Sequence, residues 1–256
     1  MRHTPVALVT FPVYLTIGPV SAHPHWVFDV LAYTTGIWLL RRRARREHDV
    51  VGSRARWVIV VAGIVGGVVG SHLLYMLEDL APLGSGAYDA DVFLQGKTIV
   101  GGLIGGLVAV ELVKARRGIT VATGDLFVVP LAAGMAIGRI GCFLTGLADG
   151  TSGTATRLPW GVDFGDGILR HPTQLYEIAF LMMLLLFIMR MAPRLQLDGD
   201  AFKIFFLGYM SFRVVVDFIK PATRVAGISV LQWACLAVIV YYSPHLPRLL
   251  ATVRRS

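Results

Sequence analysis

The sequence predicts an all-α polytopic membrane protein of about seven transmembrane helices, with its N-terminus outside and its C-terminus in the cytoplasm. Three observations predict it. Of 256 residues, 55% are hydrophobic and only 16% charged, where a soluble domain carries about a quarter. Apolar segments recur along the chain, and basic residues gather in every second connection between them.

The elements follow in order. Residues 1–24 open with MRHTPVALVTFPVYLTIGPVSA, a weakly basic start, an apolar stretch and small residues, as in a signal peptide. Pro5, Pro12 and Pro19 interrupt that stretch as a helix, so the expectation is an interfacial arm on the outer leaflet. Residues 25–256 read as one seven-helix membrane domain. Its apolar segments cover 26–40, 57–77, 98–113, 121–138, 173–189, 202–219 and 228–243. Several fall short of the roughly 20 residues of a full span and would thin the bilayer locally.

The connections set the orientation. RRRARREHDVVGSRAR (41–56), KARRG (114–118), RMAPRLQLDGDAFK (190–203) and HLPRLLATVRRS (245–256) hold 16 of the 24 Lys and Arg residues. They alternate with the other connections, and the positive-inside rule places them in the cytoplasm. The net charge of +8 is therefore a topology signal and not a nucleic-acid footprint. The outward connections are 78–97, net acidic, and 145–172, long, polar and glycine-rich, the composition of a lid or binding loop.

Glycine is patterned in GIVGGVVG (63–70) and GGLIGG (101–106). Such spacing lets helices approach closely in lipid, or lets backbone at Gly101 and Gly102 meet a headgroup. GKT at 96–98 is not a phosphate loop, because Asp91 stands where the motif needs glycine. Cys142 and Cys235 lie in apolar stretches without CxxC or Cys/His spacing, so no disulfide framework and no metal site is expected. No cofactor is indicated.

Charges inside apolar runs mark the candidate site. GMAIGRIGCFLTG (134–146) holds Arg139, and YMSFRVVVDFIKP holds Arg213. A cation in the membrane costs a few kcal/mol on insertion scales and is a functional-site hypothesis by default. Asp217 at i+4 offers Arg213 a local ion pair; Asp125 and Glu177 offer Arg139 carboxylates. Arg170, His171, Gln174, Tyr176 and Glu177 crowd into RHPTQLYE (170–177), where a span begins. Both arginines fall toward the outer half, where two guanidiniums suit a bidentate clamp on a lipid phosphate. The expectation is that an anion offsets Arg139.

TIGPVSAH (16–23), GKTIVGGLIGG (96–106), IGRIGCF (137–143), PWGVDF (159–164), RHPTQLYE (170–177) and GYMSFRVVVDF (208–218) occur in this order. Together they resemble bacterial prolipoprotein diacylglyceryl transferases. The resemblance implies a multi-pass inner-membrane enzyme that moves diacylglycerol from phosphatidylglycerol to the lipobox cysteine thiol of a preprolipoprotein, releasing glycerol phosphate. Arg139 and Arg213 would stabilise charge on the departing phosphate. Glu177 would act with them, and Arg170, Gln174, Tyr176, Gly101, Gly102, Gly138 and Gly141 would line the substrate. A thiol nucleophile wants a base; His171 is the best placed, with His25 and His72 as alternatives.

The chain departs from that family where Val100 replaces histidine, Cys142 and Thr145 replace asparagines, and Leu147 replaces glutamate. A different base or acceptor, a nucleophilic Cys142, or a non-catalytic lipid-binding or regulatory protein on the same scaffold would each fit these changes. A transporter fits less well, because no inverted repeat is evident and the polar residues cluster on the outer side.

Overall fold

Apolar runs punctuated by glycine, proline and basic residues fold as helices. The computed structural model describes residues 10–46, 52–78, 96–195 and 197–254. Its helices are α1 (Pro24–Arg46), α2 (Ser53–Glu78), α3 (Ile99–Arg116), α4 (Asp125–Thr145), α5 (Thr173–Met191), α6 (Asp200–Val216), α7 (Val230–Tyr242) and α8 (Leu246–Arg254). Each apolar segment of the sequence falls on one of α1 to α7. Among the described residues, four stretches are long and apolar enough to cross a membrane: Arg54–Glu78, Asp125–Asp149, Thr173–Arg194 and Val230–Thr252.

Local chemistry sets the helix starts. Oγ1 of Thr98 accepts a hydrogen bond from the Gly101 N–H at 3.1 Å and caps α3. Ser229 and Gln232 form a reciprocal capping box at α7. Asp125, a prospective partner for Arg139, instead accepts from the N–H groups of Gly199 and Phe202 at 2.7 and 2.8 Å. It joins the first turn of α4 to the start of α6, at the end of the bundle away from Arg139. There Arg248 of α8 also clasps Asp200 with two bonds of 2.7 and 2.6 Å.

The described residues also form three short antiparallel hairpins: β1 (Leu15–Ile17) with β2 (Val20–Ala22), β3 (Val162–Asp163) with β4 (Leu169–Arg170), and β5 (Arg224–Val225) with β6 (Ile228–Ser229). The described part of the N-terminal arm is docked on the protein. Phe11 packs edge-on against Phe143 and Phe164 at 5.8 and 5.1 Å, and the Val13 N–H donates to the Leu144 carbonyl. Residues 1–9, and 79–95 of the acidic connection, lie outside the described residues.

α2 packs against α3, α1 against α4, and α4 to α7 follow one another. The α2–α3 contact is made by glycine: a Cβ on Gly70 would stand 2.4 Å from the Gly101 carbonyl oxygen, and one on Gly105 would stand 2.3 Å from that of Gly66. α6 is the core helix, with Phe205, Phe206, Tyr209 and Met210 fully buried among Val128, Ala132, Leu181 and Leu231. Val61, Ile64, Val65 and Val68 of α2 and Met183 and Leu186 of α5 face outward and exposed, an apolar exterior suited to lipid.

Candidate functional site

Three helix ends meet at one end of the bundle. Arg139 lies in the last two turns of α4, Glu177 in the second turn of α5 and Arg213 in the last turn of α6. All three are buried, between 3% and 5% exposed. Nε of Arg139 stands 2.9 Å from Oε1 of Glu177, and the Tyr209 hydroxyl donates to the same oxygen at 2.7 Å. Within the chain the carboxylate that offsets Arg139 is thus Glu177, one of the two that the sequence offered. Only a charged partner fixed by packing satisfies a guanidinium buried this deeply.

Arg213 is held more loosely. Its Nη1 is 3.7 Å from Oε2 of Glu177 and its Nη2 is 3.9 Å from Oδ1 of Asp217. Asp217 is itself engaged, accepting a short hydrogen bond of 2.5 Å from Ser229. Nε of Arg213 and Oε1 of Gln174 are buried without a hydrogen-bond partner, a state native proteins seldom leave unexplained. Lys220 lies just beyond α6; burial and the Arg213 and Arg139 guanidiniums push its ammonium down to about 7. Around one end of α6, Arg139 and Arg213 therefore share the Glu177 carboxylate, with Asp217 also near Arg213, and the two arginines offer donor capacity still to be used.

The remaining predicted residues form a polar rim. Gln174 donates to Oγ1 of Thr151 at 3.1 Å, and Oγ1 of Thr173 donates to the Thr151 carbonyl at 2.6 Å, anchoring the 145–172 loop to α5. Nδ1 of His171 lies 3.3 Å from the Tyr176 hydroxyl, which accepts from Nε1 of Trp160 at 2.8 Å. Arg170 pairs with Asp166 at 2.6 Å and holds that carboxyl below its usual range. His171 and Arg170 therefore belong to neighbouring groups beside the arginine pair.

The glycines divide. Gly101 packs against Gly70 and Leu74 of α2, Gly102 faces Gly67 at van der Waals distance, and Gly141 presses on Phe28 of α1. Gly138 differs: a Cβ there would meet nothing within 4 Å, so open space adjoins the helix beside Arg139. Val100 is wholly buried in the core, and Thr145 bonds the Gly141 carbonyl at 2.8 Å. Sequence reasoning gave no role to Tyr209, Lys220 or Asp149, and marked Trp160 only within the outer loop and its PWGVDF motif. Asp149 had a local signal in its place in a polar loop next to the GRIGC block. His25 is found with Asp149, their Nδ1 and Oδ1 3.1 Å apart.

Buried arginines converging from separate helices carry the kind of donors that an anion would require. The prolipoprotein diacylglyceryl transferase family model matches residues 12–243, nearly the whole chain. The chain belongs to this family. A phosphatidylglycerol–prolipoprotein diacylglyceryl transferase of Nitratidesulfovibrio vulgaris is 32% identical over 239 residues, covering 90% of this chain and 88% of that one. The Clostridium tetani enzyme of the same name is 31% identical over 241 residues, covering 90% and 94%. The one from Vibrio vulnificus is 30% identical over 224 residues, covering 85% and 81%. Membership in this transferase family gives these arginines a chemical context, because the donor those relatives are named for carries a phosphate.

Proposed function

We propose that the chain moves diacylglycerol from phosphatidylglycerol to the cysteine thiol of a preprolipoprotein, at the outer face of a bacterial inner membrane that it crosses seven times, N-terminus out. The observation that carries this reading is the pair of buried guanidiniums around Glu177, in which neither Nε makes a well-aligned hydrogen bond and that of Arg139 has only its ion contact with Glu177. The lipid phosphate would approach through the open space beside Gly138. As the carbon–oxygen bond breaks, negative charge grows on the departing phosphate. Donors fixed in advance in a dry site stabilise that charge most, typically about 2.7–4 kcal/mol for one such donor. Glu177 would position both arginines and keep the resting site near neutrality. Gln174, Tyr176, His171 and Arg170 would form the rim that meets the headgroup and the acceptor.

The test is to incubate purified protein with headgroup-labelled phosphatidylglycerol, with and without a lipobox-cysteine peptide. Released glycerol phosphate and peptide mass are the readouts. Peptide-dependent release, with one diacylglyceryl mass gained by the peptide, is expected. Arg213→Lys should lower turnover roughly 10²- to 10³-fold while leaving the protein folded. Folded wild-type protein that binds the lipid and releases nothing would overturn the reading.

A further inference from the structure

Three different donor types converge next to the arginine pair. His25 stands in the first turn of α1, Cys142 in the last turn of α4, and Asp149 at the end of the tight turn Gly146–Asp149 that follows α4. One ligand atom from each lies within 4.8 Å of the other two, and Nδ1 of His25 is 3.1 Å from Oδ1 of Asp149. Bonds of about 2.0–2.3 Å at tetrahedral angles would hold zinc's donors roughly 3.3–3.8 Å apart, a spacing inside the 4.8 Å within which these three atoms lie.

The surroundings match a metal site in a second way. Nε2 of His25 faces Oδ2 of Asp29 at 3.4 Å, which fixes the ring so that Nδ1 points at the cluster. A carboxylate behind a histidine is the usual support of a metal-ligating imidazole. Asp149 is steadied by the Thr151 hydroxyl, and Thr151 in turn bonds Gln174. Nη1 of Arg139 lies 3.8 Å from Sγ of Cys142 and places a positive charge beside the sulfur. His25 and Asp29 are each about one-third exposed on their side chains, so the cluster opens toward solvent.

We infer that His25, Cys142 and Asp149 form a zinc-type site whose open fourth position takes the thiolate of the acceptor cysteine. The donor set of one imidazole, one thiolate and one carboxylate suits zinc, whereas magnesium and calcium take oxygen donors. Two anionic ligands cancel the ion's charge, so it sits beside Arg139 without net repulsion. Three protein ligands plus one open position is the catalytic form of such a site. A thiol that coordinates the ion loses its proton to water. Its sulfur then bonds the glycerol carbon, the carbon–oxygen bond to phosphate breaks, and the electron pair leaves on the phosphate oxygen beside Arg139 and Arg213. The acceptor half of this inference rests on the proposed transfer; the metal half does not.

Cobalt(II) is the probe, added to chelator-stripped full-length protein in detergent. One equivalent should bind with a thiolate-to-cobalt charge-transfer band and the strong visible absorption of a tetrahedral ion, both displaced by zinc. Cys142→Ala should abolish the charge-transfer band, and Asp29→Asn should weaken cobalt binding about 10- to 100-fold. A lipobox-cysteine peptide should intensify the band, and its serine version should not. Absence of the band from monodisperse, helical wild-type protein would overturn the metal site. A band that ignores the peptide would keep the ion and overturn the acceptor half. Undiminished peptide-dependent release of glycerol phosphate after chelation would uphold the transfer and remove the metal from it.

Discussion

Glu177 carries the electrostatics of the site, since one carboxylate faces Arg139, Arg213 and the Tyr209 hydroxyl. Removing one member of a buried ion pair leaves an uncompensated charge, at about 3–5 kcal/mol. Glu177→Ala should therefore lower the unfolding midpoint far more than Tyr209→Phe, which loses a single hydrogen bond of about 1–3 kcal/mol; thermal unfolding in detergent checks the order. Equal effects would mean that Glu177 is not the shared partner. Lys220 provides a pH test at the same scale. Its ammonium, pushed down to about 7 by burial and by Arg213 and Arg139, against the opposing pull of Glu177 and Asp217, is charged below that pH and neutral above it. Phosphatidylglycerol binding should weaken as pH rises from 6 to 8, and Lys220→Gln should flatten that dependence in a lipid-binding titration.

At the scale of elements, glycine does two different things on neighbouring helices. The α2–α3 contact leaves no room for side chains, with Gly70 and Gly66 meeting the backbone of Gly101 and Gly105. Gly70→Ala should cost about 1–3 kcal/mol through forced separation of the two helices. Gly138→Ala meets open space and should leave stability unchanged or raise it by roughly 0.5–1 kcal/mol, the ordinary helix gain over glycine. Loss of activity in a stable Gly138→Ala would mean that substrate uses that space; unfolding data on both variants separate the roles. The GxxxG spacing of 63–70 and 101–106 was readable as helix packing from sequence. Which glycine stays open was not, because that depends on what another helix puts opposite it.

At the scale of the whole molecule, the basic connections and the Arg139–Glu177–Arg213 cluster lie at opposite ends of the bundle. α4 runs from Asp125, which is tied to α6 beside the basic connections, to Arg139, and α5 returns from Glu177. Single cysteines placed at Arg117 and at Gly165 in a cysteine-free background should label from opposite sides of intact cells with an impermeant maleimide, Gly165 from outside. Labelling of both from one side would overturn the proposed topology. The strong apolar periods and the charge asymmetry made the seven helices legible, since each segment of the sequence corresponds to one of α1 to α7. The docking of the N-terminal arm through Phe11 was not legible, because nothing in that segment names Phe143 or Phe164 as its partners.

The sequence by itself determined the helices, the placement of the basic connections, the family and the two arginines, because composition, periodicity and short motifs are local properties of the chain. The tertiary structure alone decided who faces whom. It gave Arg139 to Glu177 and not to Asp125, which it turned away to the far end, buried Val100 in the core, and brought His25, Cys142 and Asp149 within reach of one another. Those pairings join residues on different helices, and only packing brings such residues within the few ångströms over which buried charges and ligand atoms select their partners.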